Sequence, residues 1–484
     1  MNGVRTSRAL IVACGINFAL AIAVHWSVLR GFANSGDEYA YLLSAALFSE
    51  GRLSVPSPEP RAAFDLNHVV NDGRYYGKYT PGWPAVLTLG VWTRAPWLLN
   101  PLLSLATLVA LHRLARRHAT PRAADLAVIC LAANPFVVLN SASFFSHPAC
   151  LLFLTLFLKA VLDVGEGPAR GRDSLMMGIA AGAAVLVRPY TAALVVVPGL
   201  AWLLIRFVRS SRAREIASVL LRSGAAFLPF AVAMLAYNAA LTGSPWLPPF
   251  LLVDPNDHPR LTGGDFSLAH GVWSNGLLRL LRLSLWLPLS VPLAAVALLG
   301  ARRKESMIAP LVISVVAIVG GYVFYLTPAG NEYGPRYAYE AIGALAILMG
   351  VALASFGRGA QLLVALIVVA NAGTLVFRCL EAAPAVRQRM ALTDLVRERQ
   401  LTSAIVFLRT GSGSMRARDL TRNGTTFDGP VLYALDRGDA NRETLARYPG
   451  RTGWIFQYDS ATGSGTLSRY ADGSAPAASF AGRR

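Results

Sequence analysis

Two adjacent carboxylates, Asp37 and Glu38, follow the first long apolar run of the chain, in the stretch Asn34-Ser35-Gly36-Asp37-Glu38-Tyr39-Ala40-Tyr41. Acids kept where a membrane span meets water carry a solvation penalty if they are partly buried, so their position suggests chemistry at a membrane surface. A carboxylate there can take a proton from an acceptor hydroxyl as general base. Arginines supply the complementary group, because a planar guanidinium pairs bidentately with a leaving phosphate. Arg188, in Val187-Arg188-Pro189, and Arg336, in Gly334-Pro335-Arg336-Tyr337, are the candidates for that part. An acid near a span end, basic residues and a polar loop for the acceptor are what sugar transfer from a polyprenyl-phosphate donor needs. Each residue also has a plainer reading. The two acids suit the first turn of a helix beginning at Tyr39, and Arg188 suits a buried ion pair.

The elements that must hold these residues are membrane helices. Hydrophobic residues make up 54% of the 484 residues and charged residues 15%, and mean hydropathy is +0.46. That composition belongs to a polytopic membrane protein. The formal charge of +18 does not point to nucleic acid, because the arginines cluster in short loops between apolar runs, as the positive-inside rule describes. Cys14, Cys130, Cys150 and Cys379 lie within or at the ends of apolar runs, which argues against a disulfide framework. Asp254, Asp257 and Asp265 do not have the spacing of a calcium loop.

A span needs about 20 apolar residues. Eleven segments qualify: 9–30, 96–112, 124–142, 147–164, 173–187, 190–207, 222–241, 277–299, 307–327, 338–356 and 360–380. They are nearly free of charge. Eleven spans place every basic loop, including Arg302-Arg303-Lys304, on the cytoplasmic side together with the N-terminus. The stretch 173–207 reads as two short helices with Arg188-Pro189 at the outer tip, since proline breaks a helix. The short apolar stretch 83–93 reads as an interfacial helix anchored by Trp83, Trp92 and Trp97. The alternative of a cleaved signal peptide over 1–30 is disfavoured by the length of the run and by the ten spans that follow. The topology gathers Asp37, Glu38, Lys78, His147, Arg188 and Arg336 on the outer face. The first outer loop is 31–95.

Beyond residue 380 the pattern changes. Residues 404–408, 430–435 and 452–458 read as strands, and 441–448 as a helix capped by Asp439 or Asn441. The chain thus divides into a membrane module, 1–380, a small outer α/β domain, 381–458, and a Ser/Gly/Ala-rich tail, 459–484, that reads as disordered.

The stretch Gly36-Asp37-Glu38-Tyr39-Ala40-Tyr41, with Gly73-Arg74-Tyr75-Tyr76-Gly77-Lys78-Tyr79-Thr80-Pro81-Gly82-Trp83-Pro84, resembles the first outer loop of GT-C fold glycosyltransferases. The branch is the one related to protein O-mannosyltransferases and the lipid A aminoarabinose transferase. Val187-Arg188-Pro189 and Gly334-Pro335-Arg336-Tyr337 resemble further motifs of that branch, and the resemblance covers 30–340. It implies an α-helical GT-C membrane module, a polyprenyl-phosphate-linked sugar donor, a lipid, glycan or protein acceptor, and inverting transfer on the outer face of a bacterial inner membrane. It implies no cofactor; a divalent metal stays open as an alternative. Asp37 matches the catalytic acid, with Glu38 beside it, and Lys78 a basic position near the donor phosphate. Tyr39 and Tyr337 lie within the matching motifs and join the substrate-binding candidates. One departure stands out. Many relatives carry a second acid before the fourth span, where this chain has Ser146-His147-Pro148, so either His147 takes over a polar role, or it caps its helix and that subsite differs. The other readings of the chain are a transporter or flippase of lipid-linked sugars, and a scaffold for an envelope-polysaccharide complex. Polar groups gathered on one face, rather than at the bilayer midplane, favour the enzyme.

Overall fold

The computed structural model describes residues 7–210, 212–260, 267–300, 307–325, 333–409, 419–459 and 462–470. Asp265, the basic group Arg302-Arg303-Lys304 and the end of the tail, 471–484, lie outside the described residues. In chain order, α1 (Arg8–Ser27) and α2 (Gly36–Ser49) precede strands β1 (Val55–Pro56), β2 (Val69–Asn71) and β3 (Arg74–Gly77). Then come α3 (Gly82–Trp92), α4 (Leu99–His118), α5 (Pro121–Ala132), α6 (Pro135–Ala142), α7 (His147–Glu166), α8 (Gly171–Val187), α9 (Pro189–Arg209) and α10 (Ala213–Thr242). Two short turns, α11 (Phe250–Val253) and α12 (Leu268–His270), lead through a π-helical segment, Gly271–Leu277, into α13 (Leu278–Trp286) and α14 (Ser290–Gly300). The remainder is α15 (Ile308–Gly321), α16 (Ala341–Ser355), α17 (Gly359–Glu398), β4 (Ala404–Arg409), β5 (Val431–Leu435), α18 (Asn441–Arg447), β6 (Thr452–Asp459) and β7 (Ser464–Arg469).

Every expected span coincides, among the described residues, with a helix or a broken helix. Among the described residues six helices are long and apolar enough to cross a membrane, or up to eight if each bent pair is one span. The bends were not anticipated. The segment 124–142 is α5 and α6, bent by 61°, and 277–299 falls on a second broken pair, Leu268–Trp286 and α14, bent by 99°. Both breaks have a local cause. Asn134 leaves the helical path and accepts from the N–H groups of Phe136 and Val137, with Pro135 opening the next helix. Pro288 interrupts the second, beside Leu289 with φ of 61°. The hairpin at 188–189 and the helix near 83–93 are found as α8–α9 and α3.

The chain forms two compact units: 1–27 with 80–379, and 28–79 with 380–484. The first outer loop up to Tyr79 therefore groups with the C-terminal region, not with the membrane helices as the sequence suggested. In the first unit the helices pack through close contacts. A Cβ on Gly82 would sit 2.6 Å from the Leu186 carbonyl carbon, so α3 meets the end of α8 with no room for a side chain. Thr80 donates from its hydroxyl to the Val187 carbonyl at 3.0 Å. These two contacts brace the backbone just before Arg188.

In the second unit β1, β3 and β2 form an antiparallel sheet in that order. A second sheet runs β5-β4-β6-β7, with β4 parallel to β5 and β6, and β7 antiparallel to β6. Strand β7 lies inside the stretch expected to be a disordered tail. Its alternation over Gly465, Thr466, Leu467 buries only Leu467, a pattern too sparse to stand out among Ser and Gly. Leu392 on α17 packs with Val406, Leu408, Phe456, Tyr458 and Leu467 to form the core. The first loop joins through Phe64 and Tyr75, whose rings stand edge-on to Phe427 at 5.4 and 5.2 Å. Helix α18 starts after Ala440 with no side-chain cap. Asn441, expected as a cap, instead donates to Asp436 at 2.7 Å.

Asp436 also accepts from Arg409 Nε at 2.6 Å and from the Gly438 N–H at 3.1 Å. Burial pushes its carboxyl pKa up, but these hydrogen bonds outweigh burial and hold it below the ordinary aspartate value. A depressed carboxylate contributes stability above its unfolded pKa of about 3.9 and loses it as pH falls through the folded value. Asp436→Asn is expected to cost the sheet about 1.5–3 kcal/mol at pH 7. The reading is faster amide exchange across 404–409 and 431–435, and the difference from wild type should start to shrink below about pH 4 and close as pH falls through the depressed folded value. Equal exchange at pH 7 would remove Asp436 from the stability of this sheet.

Candidate functional site

The two acids that open the sequence have different surroundings. Ser35 is the N-cap of α2, one turn earlier than the expected start at Tyr39, and its hydroxyl accepts from the Glu38 N–H at 3.2 Å. The same hydroxyl donates to Glu38 Oε1 at 3.2 Å. Ser-x-x-Glu is the sequence of a capping box, and Glu38 is fully buried in it. Asp37 points elsewhere. Its side chain keeps 20% of its surface, and His68 Nε2 lies 3.9 Å from Oδ1. The Tyr79 hydroxyl donates to Asp37 Oδ1. Tyr79 in turn packs on Tyr41, ring centres 4.4 Å apart, and carries the Lys78 ammonium 5.4 Å over its ring. Lys78 is buried and its N–H is held by the His68 carbonyl at 2.9 Å. Asp37, His68, Lys78 and Tyr79 thus form one cluster on α2 and the strand-β3 end.

Tyr39 is used differently. Its hydroxyl donates to the Asn423 carbonyl at 2.5 Å, and burial pushes its pKa well above the ordinary tyrosine value. Arg422 lies 5.3 Å over the same ring and donates to the carbonyls of Ala33 and Asp419, both at 2.5 Å. Burial pulls the Arg422 pKa down to about 10. These contacts tie the start of α2 to 419–423 within one unit.

The remaining candidates lie in the membrane unit. Arg188 occupies the corner between α8 and α9, with φ −149° and ψ 83°, and Pro189 starts the next helix. Its Nε is 3.3 Å from Glu340 Oε1, and its Nη2 donates to the Tyr322 hydroxyl at 3.3 Å. His147 Nδ1 meets the same Glu340 oxygen at 3.0 Å, and neither side chain has more than 2% of its surface exposed. The loop that sets His147 is pinned by Asn100, whose amide donates to the carbonyls of Ser143 and Phe145 at 2.7 and 2.9 Å. Tyr337 stacks on Tyr322 at 4.5 Å and 14°, with Arg188 5.8 Å over its ring. Arg336 lies 4.0 Å over the Phe145 ring. The turn before it needs glycine, since Gly334 has φ of 106° and a Cβ would meet Phe136 at 2.7 Å.

Arg188, His147 and Tyr337 are therefore brought together around Glu340 and Tyr322, two residues that sequence reasoning did not single out. Arg279 was also missed. It is buried on α13 beside the same tyrosines. The available signal was an ionisable residue inside an apolar run, which is a functional candidate by default. Glu340 lies in 338–356 and Arg279 in 277–299, so the description of the spans as nearly free of charge passed over both. Among the described residues no three His, Cys, Asp or Glu side chains are grouped as metal ligands.

Helices, outer loop and terminal domain match solved structures along their length. ArnT from Cupriavidus metallidurans bound to undecaprenyl phosphate aligns with a TM-score of 0.57 at 15% identity, over 91% of this chain and 92% of that one. The same protein in the apo state aligns at 0.54 and 16% identity, over 92% and 93%. The chain has the GT-C fold. Residues 87–237 of this GT-C protein match the family model described as dolichyl-phosphate-mannose-protein mannosyltransferase, a stretch that includes His147 and Arg188 but not Asp37 or Arg336. Residues 404–472 match a domain of unknown function. No curated protein matches the chain.

Removing one partner from a buried ion pair leaves the other charge uncompensated, at about 3–5 kcal/mol. Glu340→Gln and Arg188→Gln are each expected to destabilise the detergent-solubilised protein. The double variant should recover about 0.5–3 kcal/mol relative to the sum. Thermal unfolding of the four proteins checks this, and strict additivity would show that the pair is not coupled.

Proposed function

We propose that this membrane protein is a glycosyltransferase that moves a sugar from a polyprenyl-phosphate donor to an acceptor hydroxyl. Asp37 takes the hydroxyl proton as general base. The acceptor oxygen attacks the anomeric carbon, the bond from that carbon to the phosphate oxygen breaks, and the electron pair leaves with polyprenyl phosphate. Configuration at the carbon inverts. Arg188, Arg336 and Lys78 hold the phosphate, Tyr337 lines the same site, and Glu38 positions the helix that carries Asp37. His147 acts through Glu340, which it shares with Arg188. Guanidinium groups supply the charge stabilisation, so this reading requires no resident metal, with a divalent metal as the alternative.

The observation that carries this reading is the divergence of the two acids. Glu38 is spent on the helix cap, while Asp37 keeps an accessible carboxylate oriented by a tyrosine hydroxyl. The GT-C fold adds the expectation of a lipid-linked donor, since ArnT, a protein of similar fold, has been solved with undecaprenyl phosphate. The identity of the sugar and acceptor does not follow from these residues. The transporter reading draws on the two bent helix pairs, because broken helices line substrate paths in transporters.

Reconstitution in liposomes with undecaprenyl-phosphate-linked sugar tests both. Wild type is expected to release undecaprenyl phosphate as sugar is transferred, and Asp37→Asn to lose about 10²–10⁴ in rate with donor binding retained. Full transfer by a folded Asp37→Asn protein would overturn the base assignment. Movement of intact donor between leaflets without release of undecaprenyl phosphate would make the protein a transporter.

The same reading places the protein in a bacterial inner membrane with the N-terminus cytoplasmic and the C-terminal region periplasmic. A phosphatase reporter fused after Arg484 is expected to be active, and a cytoplasm-only reporter silent. The reverse pattern would overturn the eleven-span topology.

A further inference from the structure

Arg279 has only 5% of its surface exposed. Its Nη2 donates to Asn275 Oδ1 at 3.2 Å, and its Nη1 is buried with no hydrogen-bond partner among the described residues. Its guanidinium carbon lies 5.6 Å from the Tyr322 ring centre and 5.5 Å from that of Tyr337. No carboxylate pairs with it among the described residues, and a second cation, Arg282, acts on it. Tyrosine faces attract a cation, which offsets part of the desolvation, but ring faces do not satisfy an in-plane N–H. A buried charge left in that condition is costly unless a ligand completes it.

The surroundings say what kind of ligand. Arg188 lies 5.8 Å from the Tyr337 ring and donates to the Tyr322 hydroxyl, so two guanidinium groups flank one stacked tyrosine pair. Two carboxylates act there among the described residues: Glu340, engaged by Arg188 and His147, and Asp257, whose charge reaches Tyr337 and Tyr325. With Arg282 and Arg336 also acting there, the described residues set four guanidinium groups against these two carboxylates, and two guanidinium forks suit a tetrahedral oxyanion. Asn275 is held as well, its amide donating to the Tyr325 carbonyl at 2.6 Å. It lies in the π-helical segment Gly271–Leu277, and such local widening of a helix recurs at functional sites.

We propose that Arg279 is a phosphate ligand that completes, with Arg188, an anion site beside Tyr322 and Tyr337. The identification of that anion as the phosphate of the lipid donor rests on the function proposed above. In that reaction the donor phosphate is a diester with one negative charge. When the bond to the anomeric carbon breaks, the electron pair stays on the phosphate, which becomes a monoester of higher charge. A second guanidinium therefore favours the departing group over the intact donor. Loss of Arg279 should lower kcat more than it raises KM, as expected for an interaction that strengthens on the way to the transition state.

The test uses full-length protein in nanodiscs, with undecaprenyl phosphate, inorganic phosphate and the neutral undecaprenol as separate probes. Arg279→Gln is expected to weaken undecaprenyl phosphate binding at least about tenfold, with undecaprenol binding unchanged. Arg279→Lys, which keeps the charge but not the fork, should fall between. If Arg279→Gln does not fold, Arg279→Lys decides alone: weaker binding at an unchanged Tm supports the site, and unchanged binding overturns it. Equal affinity of folded Arg279→Gln and wild type for both phosphate probes also overturns it. Arg279-dependent binding of inorganic phosphate, with no response to the lipid, supports the anion site and assigns it to free phosphate. Arg279-dependent lipid binding by a protein that transfers no sugar would sink the proposed reaction and leave the site standing. Sugar transfer with an Arg279→Gln protein of wild-type kcat and affinity would do the opposite.

Discussion

A carboxylate with no exposed surface organises the polar interior of the membrane unit. Glu340 holds Arg188 and His147 on one oxygen, and those residues come from three separate places in the chain. His147 opens α7, Arg188 makes the corner between α8 and α9, and Glu340 directly precedes α16. In an apolar interior neither charge is tolerable alone, so these helix ends must meet for either charge to stay buried. The neutral groups around it are arranged accordingly. Thr191 and Tyr322 hydroxyls share a hydrogen bond at 2.6 Å, and Arg188 reaches both. Thr80 and Gly82 press on the two residues before Arg188. The turn motifs legible in the sequence thus serve one end: they deliver a guanidinium to a place where hydrocarbon would otherwise forbid it.

Much of the membrane fold could be read from hydropathy and proline, because both act locally. Apolar length located the helices of the expected spans, and Arg188-Pro189 located the corner. What could not be read was long-range. That Glu340 would meet His147 and Arg188 depends on which helices are neighbours, and periodicity says nothing about neighbours. The bends at Asn134 and Pro288 had local signals in Asn-Pro and Leu-Pro, but a run of apolar residues on either side made each pair look like one span. The last apolar run was expected to end at 380, yet α17 continues to Glu398 with Pro384 inside it, and there Leu392 and Leu395 find a sheet to cover.

The opening pair of acids shows the limits of reading a motif without its contacts. Adjacent residues on a helix point about 100° apart, since 3.6 residues make a turn, so Asp37 and Glu38 could not share one role by side-chain direction. Ser35 three residues before Glu38 is a local cap signal that the expected start at Tyr39 passed over. Nothing local assigned Tyr79 to Asp37, because the partner arrives from the end of β3, after a loop folded back on α2. Nor did anything local group the loop with the C-terminal region. That grouping rests on Thr421 donating to the Asp65 carbonyl at 2.7 Å and Asn67 donating to Asp419 at 2.7 Å, contacts between segments more than 350 positions apart.

The charge count around the tyrosine pair is the remaining constraint. Evolution can keep a buried arginine at low cost by giving it a carboxylate, as Arg188 has in Glu340. Arg279 has none among the described residues, and its place on α13 is held by Asn275 and by two aromatic faces that attract cations of any kind. A site built for stability alone would gain by replacing such an arginine with leucine, since well-packed apolar side chains match or exceed buried ion pairs in stability. The arrangement makes physical sense if the missing negative charge comes and goes. A permanent carboxylate beside Arg279 would lower the energy of the empty site and compete with any arriving anion. An unpaired guanidinium, pre-positioned by tyrosines that cannot neutralise it, leaves the electrostatic gain to be realised only when an anion is present.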